Sequence, residues 1–405
     1  MKGPNTLSDQ WEILNKWRQY ETALCTDITK AYWSFRTGAV EKHVRRIVWR
    51  HGDPTQPWKV YGFCVVSFGD RPAAAILEIA VKKTAEMNRS IDPLAADKIA
   101  SDRYVDDIAT GGTSAQVSRF VGNKSDDGDE PDSGNKGTIE QILSRGGLRL
   151  KAIVTSGETN EEKIQNLGKA VLGIGWNAPS DTINFDFTQF FQQFSLAALI
   201  TFTFTLRICL SVNNNIYDPL GLLAPVTVRF KIAFRDLFRT GLNLSWDDLI
   251  PQEDQEHWRV LLQMVLAAEP INFRRSTKPP NAIGNCQLIC FFDGSDHAYA
   301  SVIYIRWKLQ DGSIHTTLVN CKSRTTPIQR ISTPRSELNG AVIASRLVLS
   351  TLKSWSSSED LPERVWIIGD SECTLSSIEK VSAAFGEFFG NRIGEIQDNQ
   401  AKIEE

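Results

Sequence analysis

Acidic residues interrupt or end apolar segments at several points along the chain, and no other feature constrains the fold as much. Asp27 follows Ala23-Leu24-Cys25-Thr26, and Asp106 and Asp107 follow Tyr104-Val105. Asp293 closes the run Leu288 to Phe292, Glu337 follows Pro334-Arg335-Ser336, and Asp370 comes just after Val365 to Ile368. Drawing a carboxylate into an apolar layer is costly unless a cation or hydrogen bonds compensate it. A divalent metal does so for several acids at once, and oxygen ligands suit Mg²⁺ or Mn²⁺. Two such ions roughly 4 Å apart are what phosphoryl transfer uses.

The remaining arithmetic sets bounds. At roughly 150 residues per domain, 405 residues suit two to three domains. Hydrophobic residues at 41% and charged ones at 23% exclude collagen-like, wholly disordered, disulfide-scaffold and multi-span membrane classes. A net charge of −3 argues against a uniformly basic surface but leaves room for a local basic channel. Seven cysteines form no compact framework, and the polar stretch Met1 to Tyr20 is not a secretory signal. Reduced thiols and an intracellular, cytoplasmic setting are expected. Cys286 and Cys290, with His297 and His315 nearby, could bind zinc, although the same spacing is that of one face of an apolar strand.

Along the chain, Trp11, Leu14 and Trp17 have helical spacing and Ala23 to Ile28 reads as a strand. An amphipathic stretch, Val40 to Val48, precedes a strand over Lys59 to Phe68 and a helix from Pro72 to Glu86. Asp106 and Asp107 fall at the tip of an apolar hairpin. Residues 122–137 are nearly devoid of apolar side chains and are expected to be a mobile loop. A helix from Thr138 and strands around Leu148 to Val154 and Ala170 to Trp176 follow. The run Phe187 to Leu210 is broken by Gln189, Gln192, Gln193 and Arg207, which favours a buried linker element over a membrane span. Pro225 to Leu266 has helical periodicity, and Asn272 to Asn285 reads as an interdomain linker. Three strands, a helix from Glu337 to Lys353, a fourth strand and a further helix complete an α+β layout.

The motifs carrying these acids resemble those of BEL/Pao long-terminal-repeat retrotransposon reverse transcriptases, over most of the chain from Lys2 onward. Lys2-Gly3-Pro4 and Asp27-Ile28-Thr29-Lys30-Ala31-Tyr32 look like the palm entry and first catalytic motif. Phe68-Gly69-Asp70-Arg71-Pro72-Ala73 and Tyr104-Val105-Asp106-Asp107 look like the second and third. Gly147 to Lys151 and Leu172-Gly173-Ile174-Gly175-Trp176 are similar to the next motif and the primer grip. Tyr217-Asp218-Pro219-Leu220-Gly221-Leu222-Leu223-Ala224-Pro225 is the most family-specific run. Phe291 to Ser295, Pro334 to Leu338 and Gly369-Asp370-Ser371 resemble the ribonuclease H domain that follows the polymerase in that family.

The resemblance implies a nucleotidyltransferase, an RNA-directed DNA polymerase of a transposing polyprotein. Asp27, Asp106 and Asp107 would hold its magnesium (or manganese). Asp293, Glu337 and Asp370 would hold a second metal set for phosphodiester hydrolysis. Tyr32 would be the steric gate against a 2′-hydroxyl. Phe68, Gly69, Lys151, Gly173 and Trp176 would touch template-primer or deoxynucleoside triphosphate, and no membrane partner is implied. The expected fold is a polymerase palm with incomplete fingers over 1–185, a helical connection and linker over 186–284, and a C-terminal ribonuclease H-like α/β domain over 285–405. Because the chain reaches Glu405 before a fourth ribonuclease H acid, that domain is expected to be truncated. The alternative is a catalytically inactive retroelement remnant that keeps the fold and at most binds nucleic acid. Two further motifs match other families only in part. Asp132-Ser133-Gly134 matches an aspartic-peptidase triplet but lacks apolar flanks, and Gly173-Ile174-Gly175 matches part of a dinucleotide fingerprint without the helix that should follow.

Overall fold

A computed structural model describes residues 6–67, 69–122, 136–168, 170–187, 203–239, 241, 243–356 and 360–404. Lys2-Gly3-Pro4, Phe68, most of the 122–137 loop with Asp132-Ser133-Gly134, and most of the run Phe187 to Leu210 lie outside them. The chain divides into two compact units, one built mainly from Tyr20–Leu172 and one mainly from Asp181–Glu405, the latter joined by Leu14–Gln19 and Gly173–Asn177.

The first unit is organised around strand β1 (Thr22–Thr29). A hairpin of β2 (Arg46–Trp49) and β3 (Lys59–Gly62) follows, and its strands are almost wholly exposed. The amphipathic stretch Val40 to Val48 forms a short 3₁₀ turn (Glu41–His43) and strand β2. Beyond it come β4 (Arg103–Tyr104), β5 (Asp107–Gly112), β6 (Arg149–Leu150), β7 (Val154–Thr155) and β8 (Ala170–Val171). The sheet order is β4-β5-β1-β6, with β7 also paired to β1. Alternation along β1 sends Leu24 and Ile28 into a core with Leu77, Val81, Ile99, Ile108, Phe120 and Ile142. These come from helices Ala73–Met87, Pro93–Ser101, Ser114–Val121 and Thr138–Arg145 and from β5. By the same alternation Cys25 and Asp27 face the other side of the sheet, away from the helices.

In the second unit β9 (Ile174–Asn177) pairs antiparallel with β10 (Thr182–Asn184), which pairs with β11 (Phe273–Arg274). Strand follows strand, so Gly173-Ile174-Gly175 opens no dinucleotide-binding helix. Helices Leu206–Asn215, Ala224–Arg239 and Gln252–Ala268 come next. Trp258 is fully buried between Phe230 and Phe204, at ring-centroid distances of 5.6 and 6.0 Å. The expected linker at Asn272 to Asn285 is instead structural. Arg275 is 0% exposed, pairs with Asp181 through Nε–Oδ1 at 2.7 Å and donates to the Trp17 carbonyl at 2.7 Å. Polar composition suggested a linker, but a buried guanidinium with such partners acts as a clamp.

The larger sheet has the order β14-β13-β12-β15, from β12 (Ala282–Gly294), β13 (Ala298–Leu309), β14 (Ile314–Thr325) and β15 (Arg364–Ile368). β12 is antiparallel to β13 and parallel to β15, and the crossover contains the helix Thr333–Trp355. Two more helices, Glu372–Ile378 and Glu387–Glu404, follow. The run Tyr217 to Pro225 is locked by Asp218, whose carboxylate accepts from Leu222 N (2.9 Å) and Leu223 N (2.7 Å). Gly221, with φ +71°, lies so close to β14 that a Cβ would stand 2.0 Å from the Cys321 carbonyl oxygen. Cys286 and Cys290 share the buried face of β12, and burial pushes both thiols up to about 12. Protonated thiols in an apolar layer suit packing rather than zinc. Among the described residues, no helix is long and apolar enough to cross a membrane.

Candidate metal centres

In the first unit, Asp27 of β1 is the cross-strand partner of Asp107 of β5. The bond from Ile28 N to Asp106 O (3.0 Å) makes this a non-hydrogen-bonded pair, the kind whose side chains stand closer. Asp106 occupies the two-residue loop between β4 and β5 beside Val105, a β-branched residue held at φ +57°. Such a conformation is costly and persists only where surroundings enforce it. Here Arg103 donates to the Val105 carbonyl and, through Nη2, to Glu78 Oε2 at 2.7 Å. Both charged groups are buried. This pair is not among the residues that the motifs single out. Its signal is a glutamate on the core-facing side of the helix Ala73–Met87, in step with Leu77 and Val81.

The electrostatics follow from the crowding. Burial, then Asp106 and Asp27, push the Asp107 carboxyl up to about 6, opposed by Lys151. Burial and Asp27 also raise Asp106. The Tyr32 hydroxyl is raised by burial, then by Asp106 and Tyr104. Lys151 donates through Nζ to Asp27 Oδ2 at 3.0 Å, and its backbone N–H donates to Asp27 O at 2.8 Å. The three aspartates do not close to within 4.8 Å of one another; the one such acidic trio among the described residues lies elsewhere. Part of the Asp27 carboxylate is spent on the Lys151 ammonium.

That trio is Asp293, Glu337 and Asp370, whose ligand oxygens all lie within 4.8 Å of one another. The topology explains why. Phe291 of β12 pairs in parallel with Ile368 of β15, so Asp293 and Asp370 leave the same end of adjacent strands. Glu337 sits in the first turns of the crossover helix, which meets β12 closely because residue 294 is glycine. A Cβ there would lie 2.4 Å from Glu337 N. Asp293 Oδ1 accepts from Gly294 N at 2.7 Å, whereas buried Glu337 Oε2 has no hydrogen-bond partner. Burial, then Asp293 and Asp370, raise the Glu337 carboxyl. An orphaned carboxylate oxygen in an all-oxygen set fits a hard divalent cation. Ser295 caps the turn, donating to Ala298 O at 3.0 Å.

The expected substrate contacts separate. Gly69 has φ +86° in an open turn ahead of the helix Ala73–Met87. Lys151 lies beside the first acids, as described above. Trp176 is instead packed edge-on against Trp17, centroids 5.5 Å apart, and donates its indole N–H to Asp181 Oδ1 at 3.0 Å. Gly173 lies under the Tyr217 ring. Both are packing positions, because an aromatic in a short apolar strand satisfies core and ligand equally well in sequence.

The second unit combines a mixed sheet, a crossover helix and a convergent acidic trio. Residues 205–364 match the family model described as the Pao retrotransposon-like RNaseH-like domain. A solved structure of the foamy viral protease-reverse transcriptase in complex with RNA/DNA hybrid has a similar fold, with a TM-score of 0.53 at 13% identity over 97% of this chain. The chain spans 45% of that protein's length. No curated protein matches the sequence. The family match takes in Asp293 and Glu337, and the structural similarity is one of fold.

Proposed function

We propose that the chain is a reverse transcriptase segment, with nucleotidyl transfer in the first unit and phosphodiester hydrolysis in the second. The observation that carries this reading is the approach of Asp293, Glu337 and Asp370 to within 4.8 Å, with one glutamate oxygen unpartnered. Divalent ions, when bound, would activate a hydroxyl or water and neutralise developing phosphoryl charge. In the first unit the β1–β5 register brings Asp27 opposite Asp107 and the turn with Val105 carries Asp106; on this reading Tyr32 would exclude a ribose 2′-hydroxyl. The partners are an RNA/DNA template-primer and deoxynucleoside triphosphates, inside the cell, in the service of transposition. The Lys151–Asp27 ion pair favours a second reading, a polymerase unit that has lost turnover but keeps its fold.

The test is Mg²⁺-dependent primer extension on an RNA template, alongside cleavage of an RNA/DNA hybrid. Extension abolished by Asp106→Asn and cleavage abolished by Glu337→Gln support the proposal. Cleavage without extension leaves the second reading, and neither activity from folded protein overturns both assignments.

A further inference from the structure

Two adjoining concavities of the second unit share Tyr299 and Arg324. One, about 280 Å³, is also lined by Asn339, Arg346, Arg392 and Glu395. The other, about 500 Å³, is lined by Asn213, Lys231 and Arg235. Glu395 is the one carboxylate among the described lining residues, and Arg346 takes it in a fork, Nη2–Oε2 at 2.7 Å. Arg235 is held by Asp236, Nη2–Oδ1 at 2.6 Å. Arg392 instead spends its donors on neutral acceptors, Asn339 Oδ1 at 2.7 Å and Phe388 O at 2.9 Å. Exposed Lys322 and Arg324 alternate along β14, and Lys322 bears electrostatically on the exposed Lys231. The cations outnumber the acids, in a chain of net charge −3.

This lining belongs to the elements that carry the acidic trio. Arg324 pairs with Tyr299 across β13–β14, Tyr299 pairs with Gly294 beside Asp293, and Asn339 follows Glu337 on the same helix. Guanidinium groups bind phosphate oxygens through paired donors, and concave walls concentrate their field. We propose that this two-lobed basic groove seats backbone phosphates of the nucleic-acid strand presented to Asp293, Glu337 and Asp370, an inference that rests on the hydrolytic reading above.

The experiment uses the full chain and the double variant Lys322→Ala with Arg324→Gln, both exposed positions. Binding of a fluorescent RNA/DNA hybrid is followed against salt in Ca²⁺ buffer, and binding of pyrophosphate is followed by calorimetry in EDTA. The groove predicts about fivefold to tenfold weaker hybrid binding and a salt slope shallower by about one per cation removed. It also predicts loss of pyrophosphate binding, with an unchanged melting temperature. Unchanged hybrid affinity and slope overturn the inference while leaving hybrid cleavage standing. Pyrophosphate capture that depends on Arg324, with hybrid binding unaffected, assigns the groove to free polyphosphate and overturns the nucleic-acid assignment. A wild-type chain that binds no hybrid overturns the groove and the hydrolytic reading together.

Discussion

Asp27 and Asp107 face each other across β1 and β5 as a non-hydrogen-bonded pair, two like charges in the closest cross-strand geometry a sheet offers. Directly opposed like charges destabilise a sheet, so the pairing costs stability that the fold must supply elsewhere.

That cost should be measurable. With its carboxyl raised to about 6, Asp107 in the folded chain holds a proton between its ordinary range and pH 6 that the unfolded chain has released. Folding is therefore favoured below that window and loses stability as pH rises through it. Asp107→Asn should stabilise the protein at pH 7 by roughly 1 kcal/mol, after discounting for solvent screening, and by almost nothing at pH 4.5. Urea denaturation at the two pH values checks this. A variant less stable at pH 7 would contradict it.

The buried Arg103–Glu78 pair supports the turn that carries Asp106. Arg103→Met leaves Glu78 charged in the core, with only Lys82 at 2.9 Å, and should cost about 3 kcal/mol. Arg103→Met with Glu78→Leu should recover much of that loss. Chemical denaturation of the two variants distinguishes a charge-pair effect from simple loss of volume.

At the second centre, the raised Glu337 carboxyl must lose its proton to ligate a metal, so Mn²⁺ affinity should rise between pH 5 and 7.5. Paramagnetic titration reads this directly, and Glu337→Gln should remove the high-affinity binding at both pH values. Pronounced pH independence in the wild type would count against Glu337 as a ligand.

Replacing Gly294 with valine forces side-chain atoms onto the Glu337 backbone, where even a Cβ would stand 2.4 Å away. The expected cost is about 1–3 kcal/mol, because backbone cannot yield as a flexible side chain does. Mn²⁺ binding should weaken as well, since the helix must retreat from β12. Melting temperature and titration together test the claim.

Tyr32→Val should let the first unit accept ribonucleotides, narrowing deoxy-over-ribo discrimination by about tenfold or more. Competitive primer extension measures the ratio. Unchanged discrimination by an active variant would reduce Tyr32 to a packing residue.

The acids and their strands were legible because period-two alternation and local apolar runs are properties of neighbouring residues. Ala23 to Ile28, Leu288 to Phe292 and Val365 to Ile368 read as strands, and all are. The amphipathic stretch Val40 to Val48 left its element type open, because an exposed hairpin carries apolar side chains on both faces and so lacks the pattern of a buried strand. Asn272 to Asn285 misled because Arg275 looks like a linker residue until Asp181 and Trp17 arrive from far along the chain.

Residue type and spacing thus fixed which carboxylates were available and that they stood at the ends of strands. Long-range register settled the rest. It set Asp27 opposite Asp107, laid Lys151 on Asp27, drew Glu337 beside Asp293 and Asp370, and sent Trp176 into the core. Spacing is written in each local segment, whereas pairing depends on which distant surfaces bury one another, and that balance exists only in the folded chain.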